Sequence, residues 1–233
     1  MCTLVVAWRV FESAPVVVAA NRDEGTGRPS TPPAVINDDP RIVAPRDGRA
    51  GGTWIGYNET GLLAAITNRW TDHEREGERS RGLLLCDALS ERSTADATRA
   101  VERELAAREY DFFNVLLCSA DAAILLEWDG RVRVSNLSPG VHVVTNVGYD
   151  DQFNVPAHRR EPGERQVESA RLLRSALAPD VAPTAEEWLD QAGSTLGDHD
   201  YGVCVHGDGF GTRSSSLIAL GAPGEATYRY ADG

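Results

Sequence analysis

Met1-Cys2-Thr3-Leu4-Val5-Val6-Ala7-Trp8 opens the chain, and Val16-Val17-Val18-Ala19-Ala20-Asn21-Arg22-Asp23-Glu24 follows it closely. Both stretches read as short apolar strands, and the second ends in four consecutive polar residues. Such a strand end can aim its side chains at the first residue of a neighbouring strand. That first residue here is Cys2, behind an initiator Met that aminopeptidases remove when the next side chain is small. A freed α-amine titrates near ~8 and a thiol near ~8.5, so an N-terminal cysteine carries a general base within its own residue. Asp23 could hold the new ammonium, and Arg22 or Asn21 could orient the thiolate or a substrate carboxylate.

Working outward, apolar runs over Thr3 to Val10, Val16 to Ala20, Arg41 to Ala44, Thr53 to Tyr57 and Leu62 to Thr67 predict strands spaced as hairpins. Glu24 to Pro40 carries two glycines and four prolines and reads as a loop beside a site. Helical stretches follow at Gly82 to Leu89 and Thr94 to Arg108. Strands resume at Phe113 to Ser119, Ala123 to Trp128, Arg131 to Ser135 and Val141 to Thr145, with Asp129-Gly130 as a two-residue turn. A second helical pair spans Arg165 to Leu177 and Thr184 to Ala192, with Thr184 as an N-cap before Glu186 and Glu187. Tyr201 to His206, Ser214 to Ala219 and Ala226 to Tyr230 read as the last strands. Runs of strands interrupted by helical pairs predict one α+β domain over residues 1–233, a four-layer αββα sandwich with mainly antiparallel sheets.

Composition narrows the partners. With 35 acidic residues against 23 basic ones, a net charge of -12 and a pI near 4.8, the chain lacks the cationic surplus that displaces counterions from phosphate, so nucleic acid is not expected. All the basic residues are arginine, a pattern of solvent adaptation in a high-salt or high-GC source. No signal peptide and no membrane-length apolar run is read, so the expected location is cytoplasmic.

The four cysteines form no CxxC pair, and no metal site is expected. Cys86, Cys118 and Cys204 sit in apolar runs as small buried thiols. His142 and His206 read as hydrogen-bonded core or rim residues, and His73, His158 and His199 as exposed. Gly51-Gly52 reads as a tight turn bringing backbone close to Cys2. Trp54 and Trp8 could line a pocket, with core packing the commoner role.

Met1-Cys2-Thr3, Asn21-Arg22-Asp23-Glu24, Gly51-Gly52-Thr53-Trp54, Leu62 to Asn68, Val144-Thr145-Asn146 and Gly211-Thr212-Arg213-Ser214-Ser215 together resemble the NRDE family, also called transport-and-Golgi-organisation-two-like. More distantly, their order is similar to the choloylglycine and penicillin V acylase branch of N-terminal-nucleophile hydrolases. The resemblance implies Cys2 as nucleophile, Asp23 as partner of its amine, Asn68 and Asn146 as oxyanion or amine contacts, and Arg213 as a nearby electrostatic stabiliser. Asn21, Arg22, Glu24 and Trp54 are assigned to substrate contact. In the acylase branch an arginine stands three residues before the acid, where this chain has Ala20, while Arg22 immediately precedes Asp23.

Two functions lead, ahead of a scaffold with no ligand. One is hydrolysis of a C–N amide bond in a small molecule through a Cys2 thioester, needing no cofactor. The other is a non-catalytic haem- or lipid-handling protein, in which Cys2 could serve as a thiolate ligand to haem iron. Oligomeric state leaves no mark in the sequence.

Overall fold

The computed structural model describes residues 2–222 and 224–233. In chain order its strands are β1 (Thr3–Phe11), β2 (Ala14–Gly25), β3 (Ser30–Asp38), β4 (Arg41–Asp47), β5 (Ile55–Asn58) and β6 (Leu63–Asn68). Helices α1 (Arg81–Leu89) and α2 (Thr94–Ala107) come next, then β7 (Phe113–Cys118), β8 (Ala123–Trp128), β9 (Val132–Asn136), β10 (Gly140–Thr145), β11 (Gly148–Tyr149) and β12 (Gln152–Phe153). Helices α3 (Arg160–Ala176) and α4 (Ala185–Gly197) precede β13 (Phe210–Leu220) and β14 (Ala226–Asp232). These form two compact units, the first from residues 1–27, 69–72 and 138–233, the second from 28–68 and 73–137.

The first unit is built on an antiparallel sheet of order β12-β11-β10-β1-β2-β13-β14. Odd-numbered side chains of β1 and β2, Val5, Ala7, Val17 and Ala19, join Val141 and Val143 against Leu173, Trp188, Leu189 and Leu196 of α3 and α4. Trp188 is fully buried and donates its indole N–H to the Leu177 carbonyl, so its large apolar body enters the core without an orphaned donor. Thr184 caps α4 by accepting from the Glu187 amide at 3.2 Å.

The second unit has an antiparallel sheet of order β3-β4-β5-β6-β7-β8-β9. Its core sets Ile42, Ala64, Val115 and Leu117 against Leu84, Leu85, Leu89, Ala97 and Val101 of α1 and α2. Serines cap both helices, Ser80 for α1 and Ser93 for α2.

Several boundaries differ from the sequence reading. The proline-rich segment holds a strand, β3, at the edge of its sheet with register breaks around Pro32-Pro33, where a missing N–H costs no ladder bond. The β8–β9 hairpin pairs Trp128 with Val132, so its connection has one residue more than Asp129-Gly130. Tyr201 to His206 is not a strand: a 3-10 turn at His199–Tyr201 ends in Gly202 at φ 68°, and the segment after it makes a single bridge, His206 to Gly211. Finally, Gly51 at φ 73° does turn the chain, its amide bonding the Asp47 carbonyl at 2.9 Å, and the backbone that Gly52 approaches is that of α1. A Cβ there would lie 2.2 Å from the Gly82 carbonyl carbon, and the Thr53 amide bonds Gly82 at 3.1 Å.

Candidate active site

Cys2 directly precedes β1, whose Thr3 pairs with Asn21 of β2 and whose Leu4 pairs with Val144 of β10. Extending those registers by one residue sets Cys2 across from Arg22 on one side and Asn146 on the other. Paired residues share a sheet face, so Cys2 and Arg22 lie on the face opposite α3 and α4.

The Cys2 nitrogen donates to Asn146 Oδ1 at 3.3 Å, and its thiol points to the Asp23 carbonyl at 3.7 Å. Asn146 is itself held from α3: its amide donates to Gln166 Oε1 at 2.9 Å, and Gln166 Nε2 donates back to Asn146 Oδ1 at 3.2 Å. The Trp70 amide adds a 2.8 Å bond to the Asn146 carbonyl. Gln166 has no exposed surface, so its two bonds fix the Asn146 amide in one orientation.

Asp23 is buried, and its Oδ1 accepts from the Thr212 hydroxyl at 2.6 Å. Thr212 in turn accepts from the Val205 amide at 2.9 Å. The pairing depends on a bulge in β13: Thr212 lies opposite Asp23 while Ser214 lies opposite Arg22, which leaves Arg213 as the extra residue. Arg213 directs its guanidinium to the Gly233 carbonyl at 2.9 Å. Arg22 is buried 4.0 Å from Glu24, whose other oxygen accepts from the Gly25 amide.

Burial sets the electrostatics. It pushes the Cys2 thiol above its ordinary pKa, the Asp23 carboxylate acts in the same direction, and the Asp23 carbonyl bond and the Arg22 charge oppose it. Burial likewise raises the Asp23 carboxyl against the Thr212 hydrogen bond. A thiol so placed is protonated at neutral pH and becomes a nucleophile only with a base close by.

Of the residues singled out from sequence, the structure brings Cys2, Arg22, Asp23 and Asn146 together. Asn21 instead gives its amide hydrogens to the Leu196 and Val203 carbonyls and its Oδ1 to the Ser215 hydroxyl, so it clasps the fold from the helix-facing side. Asn68, exposed at the end of β6, and Trp54, half-buried before β5, both belong to the second unit. Gln166 and Thr212 escaped the sequence reading. The signal for Gln166 was a polar residue on the buried stripe Gly163, Gln166, Ala170, Leu173 of α3. Thr212 lay inside a motif already quoted, where attention went to the arginine beside it. Among the described residues one group could hold a metal ion: His199, Cys204 and His206. No helix among them is long and apolar enough to cross a membrane.

Comparison with known proteins gives a consistent answer. The family described as Transport and Golgi organisation 2 matches residues 1–229. The Transport and Golgi organization 2 homolog of Mus musculus is 24% identical over 237 residues, spanning 91% of this chain and 84% of that protein. The Homo sapiens homolog is 26% identical over 235 residues with the same coverage. Among solved structures, the Caenorhabditis elegans N-acylethanolamine-hydrolyzing acid amidase ortholog aligns with a TM-score of 0.61 at 12% identity, over 96% of this chain and 94% of that one. A mutant conjugated bile acid hydrolase from Clostridium perfringens gives 0.58 at 12% identity, over 100% and 92%. Penicillin V acylase from Agrobacterium tumefaciens gives 0.55 at 14%, over 99% and 86%. These are N-terminal-nucleophile hydrolases, and the likeness shows that the α+β fold of this chain, with its two antiparallel sheets and four helices, is theirs.

Proposed function

The chain belongs to the Transport and Golgi organisation 2 family, and we propose that it is a cysteine amide hydrolase whose nucleophile is Cys2. One observation carries the reading, the 3.3 Å approach of the Cys2 nitrogen to Asn146 Oδ1. Removal of Met1 turns that nitrogen into an α-amine titrating near ~8. Asn146 Oδ1 can only accept, so it holds one N–H and leaves the amine lone pair free to meet Sγ.

The amine takes the Sγ proton as the sulfur attacks the carbonyl carbon of a small-molecule amide. An S–C bond forms and the carbonyl π electrons move to oxygen. When the tetrahedral intermediate collapses the C–N bond breaks, and the ammonium passes its proton to the leaving nitrogen. Water then attacks the thioester, gives a proton to the amine and releases the acid as the Cys2 thiol is restored. Burial holds the thiol proton tightly, which makes a base inside the same residue useful, and the Arg22 charge favours the thiolate once formed. No step requires a cofactor.

The test begins with the intact mass of untagged protein, to establish whether Met1 is lost, and continues with an activated acyl donor such as p-nitrophenyl acetate. A single acyl adduct is expected on Cys2, absent in Cys2→Ala and absent when a retained residue precedes Cys2. An adduct that persists in Cys2→Ala overturns the proposal. So does a haem Soret band that disappears in Cys2→Ala when no acyl adduct ever forms.

A further inference from the structure

The segment from His199 to His206 is held in place by bonds that its length alone would not predict. The 3-10 turn reverses at Gly202, and Val203 behind it is fully buried with its carbonyl accepting from Asn21. The Val205 amide donates to the Thr212 hydroxyl, the Thr212 amide returns to the Val205 carbonyl at 2.7 Å, and Gly207 bonds Phe210. The outcome is a fixed platform carrying two exposed imidazoles and one half-buried thiol. Their donor atoms all lie within 4.8 Å of one another.

We propose that His199, Cys204 and His206 bind a zinc-class divalent transition ion. Cys204 Sγ stands 3.5 Å from His206 Nε2, the separation expected for two tetrahedral ligands with a Zn–S bond of about 2.3 Å and a Zn–N bond of about 2.0–2.1 Å. His199 Nδ1 lies 3.1 Å from the Cys204 carbonyl. Only an N–H can face a carbonyl oxygen, so that contact puts the proton on Nδ1 and leaves Nε2 as the ring's ligand nitrogen. A metal-binding histidine is commonly held in this way by a backbone carbonyl on its far nitrogen. The two rings meet edge to face, with centroids 5.2 Å apart. Two imidazoles and a thiolate form a borderline-soft set suited to zinc rather than to magnesium or calcium, which seek oxygen. Exposure of both histidines leaves a fourth position for water.

The test uses full-length untagged protein, stripped with a chelator and titrated with Co²⁺ and then Zn²⁺. One equivalent of Co²⁺ should produce a thiolate charge-transfer band in the near ultraviolet and tetrahedral d–d bands in the visible, both removed by Zn²⁺. Cys204→Ser should abolish the charge-transfer band. His199→Ala and His206→Ala should each weaken binding by more than the roughly 10–100-fold that loss of an outer-shell partner brings. Circular dichroism melts would show each variant folded, and His158→Ala should bind as the native chain does. Absence of the band, its survival in Cys204→Ser, or its loss in Cys2→Ala with Cys204 intact would each overturn the proposal. This inference stands apart from the acyl-transfer reading, since its readout is spectroscopic and needs no turnover.

Discussion

Replacing Gln166 by leucine keeps its bulk and removes both of its bonds to Asn146. The fully buried glutamine accepts from the Asn146 amide at 2.9 Å and donates to Asn146 Oδ1 at 3.2 Å. An ordinary bond of this kind contributes about 0.5–1.5 kcal/mol, but a buried N–H stripped of the acceptor it uses costs about 1–3 kcal/mol. Taking one of each, Gln166→Leu should destabilise the protein by roughly 2–4 kcal/mol. In a urea titration the midpoint should fall with an unchanged slope, because the surface exposed on unfolding is the same. A structural role alone would end there. If Gln166 positions the site, the pH profile of Cys2 alkylation in the Met1-free protein should shift as well, because the oxygen that holds the Cys2 nitrogen is no longer fixed. A loss below about 1 kcal/mol, or a double-mutant cycle with Asn146→Ala showing no coupling where contacting residues give about 0.5–3 kcal/mol, would refute the reasoning.

Three further outcomes are expected. Asn21→Leu strands two carbonyls and a hydroxyl inside the first unit and should cost roughly 2–4 kcal/mol in the same titration; a fully stable variant with weakened substrate binding would return Asn21 to the substrate. Gly52→Ala forces a methyl onto the backbone of Gly82 and Leu83, so its melting temperature should drop by at least what the upper end of the roughly 1–3 kcal/mol overpacking range implies. Burial works against a charged His142 ring, but the Asp150 carboxylate at 2.8 Å and the Ser138 carbonyl outweigh it and raise its pKa. Because the folded value lies above the unfolded one, this stabilisation is complete below about pH 6.5 and is lost as pH rises through the folded value. Melting curves across that range should show the loss in the native chain and a flattened slope in Asp150→Asn.

Much of the fold was legible because its periodicities are local. The apolar run from Thr3 to Val10 and the capping Thr184 needed no tertiary information, and both elements stand where those signals put them. The misread segments are those where local rules yield to a neighbour. Two prolines forbid an inner strand but not an edge one, so β3 forms. The helix read from Arg165 begins earlier, at Arg160, since proline is tolerated in a first turn and Gly163 fits a space where a Cβ would lie 2.5 Å from a Val155 methyl. Alternating apolar residues from Tyr201 to His206 suggested a strand, which put Cys204 and His206 on one face but gave no reason for His199 to join them. The left-handed Gly202 brings it there.

The site follows from parity. Odd residues of β1 and β2 face the helices, so Asn21 was bound to serve the fold and Cys2 with Arg22 to face away from it. A helix can therefore reach the cysteine only around the end of the sheet, which is where Asn146 leaves β10 and where Gln166 meets it. The acid needs the opposite correction. Asp23 has odd parity as well, and the bulge at Arg213 shifts β13 so that Thr212 rather than Arg213 stands opposite its carboxylate. The positions that the sequence marked as chemical are thus supported by two devices that depend on tertiary register, a helix residue and a bulge. Thr212→Val would test this, since it keeps the bulge and removes the 2.6 Å bond to the Asp23 carboxylate: the pH profile of Cys2 alkylation should shift while the Cys2–Asn146 contact stays intact.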